Sequence, residues 1–168
     1  TPVNPDIEGV LRIEKGVVAD MPLDSADAEI KYHNFRLTLV GFTARSGNGV
    51  VTAEGSIGLK DRAVKMTFDA ENLPLAKLAD SAKEYVRLSG DVNARGELSG
   101  TVEDTIVRAS IDSANPRING QDFGALEAEV SWADDKLQMS KASLTDGETT
   151  YSMSDVSYAP MDGRIDIT

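Results

Sequence analysis

The side chains that most often carry chemistry are sparse in this sequence. His33 is the only histidine, and it lies in the polar run Lys31-Tyr32-His33-Asn34. No cysteine is present, so neither a second imidazole nor a thiolate can complete a metal site or a nucleophile–base pair. An isolated histidine in a polar run beside a turn is usually a surface residue. The sequence therefore predicts no histidine-based catalysis.

The acidic and glycine-containing motifs are equally unpromising as active sites. The carboxylate pairs Asp134-Asp135 and Glu103-Asp104 fall where turns are expected, so solvated turn residues are favoured over paired acid–base work. Asp146-Gly147-Glu148 lacks the regular ligand spacing of a calcium loop. Neither Gly47-Asn48-Gly49 nor the segment 96–100 leads into a helix that could hold a phosphate. We predict a protein that is not an enzyme and has no metal or cofactor.

The composition narrows the class of protein further. The chain has 168 residues and a formal net charge of −11, so a nucleic-acid partner is not expected. Hydrophobic residues make up 40%, which argues against disorder, but only nine are Phe, Tyr or Trp. A thin or extended apolar layer suits this composition better than a compact core. The apolar runs are too short for a membrane span or a signal peptide.

Strict alternation of apolar and polar residues predicts that most of the chain is β-strand. Over 86–102 the even positions read Val, Leu, Gly, Val, Ala, Gly, Leu, Gly, Val, and every odd position is polar. Glycines on that apolar side suggest close backbone approach, a bend or a bulge. The same alternation recurs in Ala28-Ile30-Tyr32, Val64-Met66-Phe68-Ala70 and Ala128-Val130-Trp132.

Turn residues and one helical segment complete the expected architecture. The spacing of apolar residues over 72–85 predicts an amphipathic helix of about three turns, with Asn72 as its N-cap and Pro74 near its first turn. Turn chemistry recurs every 8–15 residues or so, which favours a long antiparallel meander. The predicted turns lie at 47–49, 60–62, 119–120, 134–136, 146–147 and 162–163. The predicted fold is all-β, a long, curved, repetitive antiparallel sheet with one short helix.

The sequence repeats itself at an offset of 100 residues. Ala28 meets Ala128, Tyr32 meets Trp132, and the sizes and polarities of the surrounding residues match without a gap. A fixed offset is typical of repeat architectures. We therefore predict a first β unit over 1–70, a helical connector over 71–86 and a second β unit over 87–168. A strand candidate reaches the last residue, so we expect a piece of a longer solenoid.

The apolar face has two interpretations that alternation cannot separate, since both need dry residues on one side of a sheet. It is either an ordinary core or an open groove that holds an acyl chain. The predicted groove-lining residues are Ile30, Tyr32, Leu37, Leu39, Val64, Met66, Phe68, Val92, Ala94, Leu98, Val102, Val130, Trp132, Leu137, Met139 and Met153.

The block from Leu88 to Ile111 resembles the degenerate Gly-, Val- and Leu-rich repeat motif of the AsmA-like and TamB (translocation and assembly module) proteins of bacterial envelopes. The segment Asn72-Leu73-Pro74-Leu75-Ala76-Lys77-Leu78 is similar to the short helix that precedes this motif in the family. Asn4-Pro5-Asp6-Ile7 matches the tail of the motif, and Thr105 stands where a second proline is expected. The resemblance covers most of the chain, roughly 4–158.

The resemblance implies a half-pipe or β-taco with an apolar interior, in a large periplasmic protein anchored in the inner membrane. It implies non-enzymatic phospholipid transport between the inner and outer membranes. The expected partners are phospholipid acyl chains, neighbouring repeats of the same parent chain and an outer-membrane β-barrel assembly protein. An alternative function is assistance to outer-membrane protein insertion by β-strand augmentation. A secreted β-solenoid adhesin is disfavoured, because it would more often show a short fixed repeat and Asn ladders.

Overall fold

The computed structural model describes residues 5–18, 21–78, 87–159 and 164–167. The described residues form fourteen strands and one four-residue helix. The first seven elements are β1 (Ile7–Val18), β2 (Met21–His33), β3 (Arg36–Ser46), β4 (Gly49–Gly58), β5 (Ala63–Pro74), α1 (Leu75–Leu78) and β6 (Leu88–Ser89). The rest are β7 (Asp91–Thr101), β8 (Thr105–Ser113), β9 (Arg117–Ile118), β10 (Gln121–Asp122), β11 (Ala125–Ala133), β12 (Lys136–Asp146), β13 (Thr149–Ala159) and β14 (Arg164–Ile167).

Eleven of the strands form one open antiparallel sheet. Their order is β1-β2-β3-β4-β5-β7-β8-β11-β12-β13-β14, so each strand pairs with its predecessor and successor within this sheet. At about 4.8 Å per strand the sheet is roughly 48 Å wide. The chain exposes 11550 Å² of surface, whereas a compact protein of 18.0 kDa exposes about 8000 Å². The all-β antiparallel fold is confirmed, and it is spread out in one layer.

The predicted helix begins later than expected, because β5 continues to Pro74. Helix α1 covers Leu75–Leu78, and the rest of the predicted helical segment, 79–86, lies outside the described residues. Asn72 as N-cap is wrong, because Asn72 lies within β5 at φ 53°, where the pairing with β7 skips between Ala70 and Leu73. A bulge residue and a capping residue both favour Asn, so sequence alone did not separate them.

The 100-residue offset recurs in the structure. Strands β3 and β12 have the same bounds at this offset, and both hairpins β2–β3 and β11–β12 shift register at the same place, after Glu29 and after Glu129. The turns agree as well. In the turns of these two hairpins both central residues have positive φ: Asn34 and Phe35 in the first, Asp134 and Asp135 in the second. The two units therefore share hairpin geometry in detail, while sharing few identical residues.

The other predicted turns also separate strands. Those at 47–49, 60–62, 119–120 and 146–147 all lie between antiparallel neighbours, and 162–163 lies outside the described residues. Asn119-Gly120 has positive φ at both positions, as a type I′ hairpin turn requires. This turn joins β9 to β10, which form a second, small sheet in the order β10-β9-β6.

A small closed core lies at one end of the central strands β5 and β7, where α1 and β6 are attached. Ala70, Leu73, Leu75 and Val92 form one buried cluster, with Val92 only 1% exposed. The backbone N–H of Leu75 donates to the carbonyl of Gly90 over 2.9 Å, which ties α1 to the start of β7. Burial of this cluster anchors the connector to the sheet, and β5 and β7 pair directly across it.

Candidate functional site: the apolar face of the sheet

The strand register places apolar residues in rows that cross the sheet from edge to edge. In an antiparallel pair, residues directly opposite each other point to the same face. We call the side of the sheet that carries these apolar rows the apolar face. One row runs through Ile30, Leu39, Gly55, Met66, Leu98, Val107, Trp132, Leu137 and Tyr158. The next runs through Leu11, Ala28, Phe42, Ala53, Phe68, Gly96, Ala109, Val130, Met139 and Val156.

Fourteen of the sixteen predicted lining residues lie on this face. They occupy four neighbouring rows, two residues apart along each strand except at bulges. The first row holds Tyr32, Leu37 and Val64; the second Ile30, Leu39, Met66, Leu98, Trp132 and Leu137; the third Phe68, Val130 and Met139; and the fourth Ala94 and Met153.

Two of the predicted lining residues require correction. Val92 lies in the closed core, where Leu73 is its cross-strand neighbour, so it cannot line an open surface. Val102 lies beyond the end of β7 in the turn to β8, and its N–H donates to the carbonyl of Arg62. The alternating pattern predicted both residues on the apolar face, because it carries no information about what packs above a strand or where a strand ends.

Most side chains on the apolar face are only half-buried. Within the described residues one layer of strands supplies the face, and the small sheet and α1 cover only the end near Val92. Leu137 is 38% exposed and Met153 45% exposed, values typical of a surface. Val64 is buried, and so are several alanines of the same face that are flanked by larger neighbours. The face therefore presents a broad apolar surface with local packing between its own side chains.

Sequence reasoning missed several members of this face. Phe42 is the clearest case: the bulge in β3 inserts a residue between Leu39 and Phe42, so odd positions face the apolar side before it and even positions after it. The equivalent bulge in β12 brings Ala142 onto the face. Val107 and Ile111 were missed because only their pairing with β7 and β11 shows which row they join. The alternation of each strand was the signal, but bulges reset it.

The opposite face carries directly paired opposite charges. Arg12 Nε lies 2.6 Å from an oxygen of Asp27, and Arg95 Nη2 lies 2.6 Å from Asp69. Glu8 reaches Lys31 at 3.2 Å, and Glu97 reaches Arg108 at 3.4 Å. The hydrogen bond and charge of Asp27 raise the pKa of Arg12, and those of Glu8 raise the pKa of Lys31. These pairs are exposed, so they define the face as polar more than they stabilise the fold.

A groove of about 890 Å³ lies on this polar face. It runs across the sheet from β3 to β12, between two polar rows. Its walls include Thr52, Asp69 and Arg95 on one side and Glu54, Glu97 and Arg108 on the other. The groove also borders Phe42, Phe68 and Val130, residues of the apolar face that lie between these polar neighbours along their strands. Its walls of carboxylates, hydroxyls and two ion-paired arginines make it a different surface from the predicted apolar groove.

The residues first considered for chemistry lie apart from one another. His33 Nδ1 lies 2.5 Å from Asp6, and its Nε2 lies 2.9 Å from the Asn34 amide. Asp134 and Asp135 are the two central residues of a hairpin turn, and Glu103 pairs with Arg62. Across the described ranges no three His, Cys, Asp or Glu side chains come together as a metal site would require.

The comparisons with known proteins add no relative: no family model, no curated protein and no solved structure matches this chain. Among the helices of the described residues, none is long and apolar enough to cross a membrane.

Proposed function

We propose that the apolar face binds acyl chains and that the chain is a non-enzymatic segment of a phospholipid conduit between the inner and outer membranes. One observation carries this proposal: apolar rows continue in register across the large sheet, and their larger side chains stay half-exposed. The proposed periplasmic location, the inner-membrane anchor of the parent protein and its contact with an outer-membrane β-barrel assembly protein rest on the motif resemblance.

The physical case is that such a surface is costly to leave in water and suits a linear apolar ligand. Burying apolar surface yields about 25 cal/mol per Å², or about 0.8 kcal/mol per methylene. An acyl chain lying along a row would cross strands every 4.8 Å or so without meeting a charged side chain. No fixed polar contact is needed, so the chain could slide from one strand to the next.

The polar groove is a poor rival site for the same ligand. An acyl chain there would have to desolvate the Asp69–Arg95 and Glu97–Arg108 pairs without replacing their hydrogen bonds. Burial of charged groups without compensation is strongly unfavourable. Lipid should therefore bind to the apolar face and not in the polar groove, and substitutions on each face can test this.

Strand augmentation is the second candidate function, and the free edge of β1 favours it. β1 is twelve residues long and has a described strand partner on one side only. Long unpaired edges add strands readily. This function would use the edge of the sheet, whereas lipid binding would use its face.

Native mass spectrometry of the purified chain tests lipid binding. We expect phospholipid to copurify, or to be taken up from added phospholipid, and to be displaced by a lysophospholipid or a lipophilic dye. A folded chain that carries no lipid and takes up neither phospholipid nor dye would contradict the proposal. Soluble phosphoglycerol without acyl chains serves as the control, since it should not compete for a surface that recognises hydrocarbon.

A further inference from the structure

The free edge of β1 is long and carries exposed apolar side chains, most of them on the apolar face. Val10 is 74% exposed on the polar face, and Ile7 and Leu11 are 57% and 51% exposed on the apolar face. On its other side β1 pairs with β2 over its full length, from Ile7 with Tyr32 to Val18 with Met21. Unlike the interior strands, β1 therefore offers both unsatisfied backbone groups and apolar side chains to a further strand.

The turn of the next hairpin determines which backbone groups are free. Asn34 and Phe35 form a two-residue loop with positive φ, so the flanking pair His33–Arg36 is hydrogen-bonded. Backbone groups alternate in direction along a strand, so the even residues of β2 point to β1. Tyr32 and Ile7 then form a hydrogen-bonded pair. Consequently Glu8, Val10 and Arg12 direct their N–H and C=O groups outward.

The internal repeat shows what covers the equivalent edge. The pairing of β8 with β11 is equivalent to the pairing of β1 with β2. Val107 lies opposite Trp132, and Ile7 lies opposite Tyr32 at an offset of 100 residues. The same 100-residue offset holds for Ile111–Ala128 and Leu11–Ala28. On its other side β8 is covered by β7, antiparallel, with Leu98 opposite Val107 and Ala94 opposite Ile111. The position that β7 fills beside β8 is open beside β1 in the described structure.

We propose that the free edge of β1 binds an extended segment with the alternating pattern of β7, running antiparallel to β1. Its apolar residues lie opposite Ile7 and Leu11, where Leu98 and Ala94 lie opposite Val107 and Ile111. The proposal rests on the strand-augmentation function and specifies its partner and register. It is independent of lipid binding by the apolar face, because the added strand extends that face without covering it.

Charge adds one condition on the partner. In the equivalent pair, Arg108 of β8 faces Glu97 of β7. At the 100-residue offset, Glu8 takes the place of Arg108, so the segment that binds β1 carries a cation where β7 carries Glu97. A copy of β7 with Glu97→Lys is therefore the best-matched probe that the chain itself supplies.

The test is a fusion in which a copy of residues 91–104, carrying Glu97→Lys, precedes residue 5. The junction reproduces the chain order at Asp104-Thr105, since Pro5 is equivalent to Thr105. Hydrogen exchange is measured residue by residue by NMR. We expect exchange at Glu8, Val10 and Arg12 to slow by on the order of tenfold or more, while Gly9 and Leu11, already bonded to β2, change little.

Two controls keep the test decisive. A fusion with the same fourteen residues in an order that destroys the alternation should leave the three amides exchanging as in the unmodified chain. In the alternating fusion, Val10→Pro should remove the outward donor and speed exchange at Glu8 and Arg12 while β content persists.

Equal protection by both fusions, or no protection by either, would overturn the proposal. So would concentration-dependent protection in the unmodified chain, which would make a second copy the occupant. Unchanged lipid uptake in the fusions would show that the outcome concerns the edge alone.

Discussion

The ring of Phe68 lies directly over Gly96, its cross-strand partner on the apolar face. A Cβ added to Gly96 would lie 2.8 Å from Phe68 Cζ, closer than ordinary van der Waals contact. Phe68 in β5 thus covers backbone that Gly96 in β7 leaves bare. Contacts of this kind allow a single layer of strands to bury part of its own apolar surface.

This contact predicts the effect of Gly96→Ala. The new methyl group would meet both the Phe68 ring and the carbonyl of Arg108, so the ring and strand must shift. We expect the free energy of unfolding to fall by about 1–3 kcal/mol, as for other overpacked sites. Gly9→Ala is the matched control, because nothing lies within 4 Å of a Cβ there. Equal effects of the two substitutions in urea unfolding would contradict this account of the contact.

Arginine substitutions separate an open face from a closed core. Met66→Arg and Leu98→Arg place a charge on the half-buried apolar face, where the long side chain can reach water. We expect the β content measured by circular dichroism to persist and the free energy of unfolding to change by no more than about 1 kcal/mol. The amount of bound lipid should fall. Val92→Arg puts the charge in the closed core and should cost several kcal/mol. Met139→Arg repeats the test farther along the same face, in β12.

The controls for these variants lie one residue away on the polar face. Thr67→Arg and Ser99→Arg add the same charge beside Met66 and Leu98 on the opposite side of the sheet. Lipid binding should survive in both. If Met66→Arg and Leu98→Arg unfold as completely as Val92→Arg, the apolar face is a packed core in solution. If they bind lipid as well as the polar-face variants do, the ligand uses another surface.

We expect one ion pair to make the stability of the small sheet depend on pH. Arg117 binds Asp122 through two hydrogen bonds of 2.6 and 3.0 Å between β9 and β10. The hydrogen bonds from Arg117 lower the pKa of Asp122 below its ordinary value, against a smaller opposing effect of desolvation. Since the folded pKa lies below the unfolded one, this stabilisation is present above the unfolded pKa. It is lost as the pH falls through the folded pKa.

NMR titration of the Asp122 carboxyl tests that assignment. In the unmodified chain its midpoint should lie below the ordinary range for an aspartate side chain. In Arg117→Gln the midpoint should return to the ordinary range, because the charged hydrogen-bond donor is gone. A midpoint that Arg117→Gln leaves unchanged would show that the pair does not form in solution.

Small-angle scattering tests the single-layer architecture. A compact globule of 168 residues has a radius of gyration of roughly 15 Å. Because eleven strands lie side by side in one layer, we expect a clearly larger value for the monomer. A value near that of the globule, in a sample verified as monomeric, would mean that the sheet folds back on itself.

The sequence predicted strands and turns well because both depend on local chemistry. Alternation needs only neighbouring residues, and Asn119-Gly120 adopts its turn for reasons contained in those two residues. The 100-residue offset likewise predicted the repeat that the hairpins β2–β3 and β11–β12 share. Bulges were harder to predict. No residue type near Val40 indicates an extra residue in β3, yet the bulge there places Phe42 on the apolar face.

The rest depended on contacts between distant residues. β9 and β10 are two residues long each, too short to show a period. They are defined by pairing: β9 pairs with Leu88-Ser89 of β6 on one side and with β10 on the other. Val92 is buried because Leu73 of β5 and Leu75 of α1 pack against it. Part of the apolar face was predictable from alternation, whereas the residues beyond each bulge, the closed end and the continuity from strand to strand required the register.

A photoactivatable phospholipid tests the central claim most directly. With the reactive group at the end of an acyl chain, irradiation of the complex should label side chains on the apolar face, including Met66, Leu98 and Met139. Peptide mass spectrometry would locate the label, and unlabelled phospholipid should compete for it. Labelling of Thr52, Glu54 or Arg108 in the polar groove, or labelling that unlabelled phospholipid does not reduce, would contradict the account.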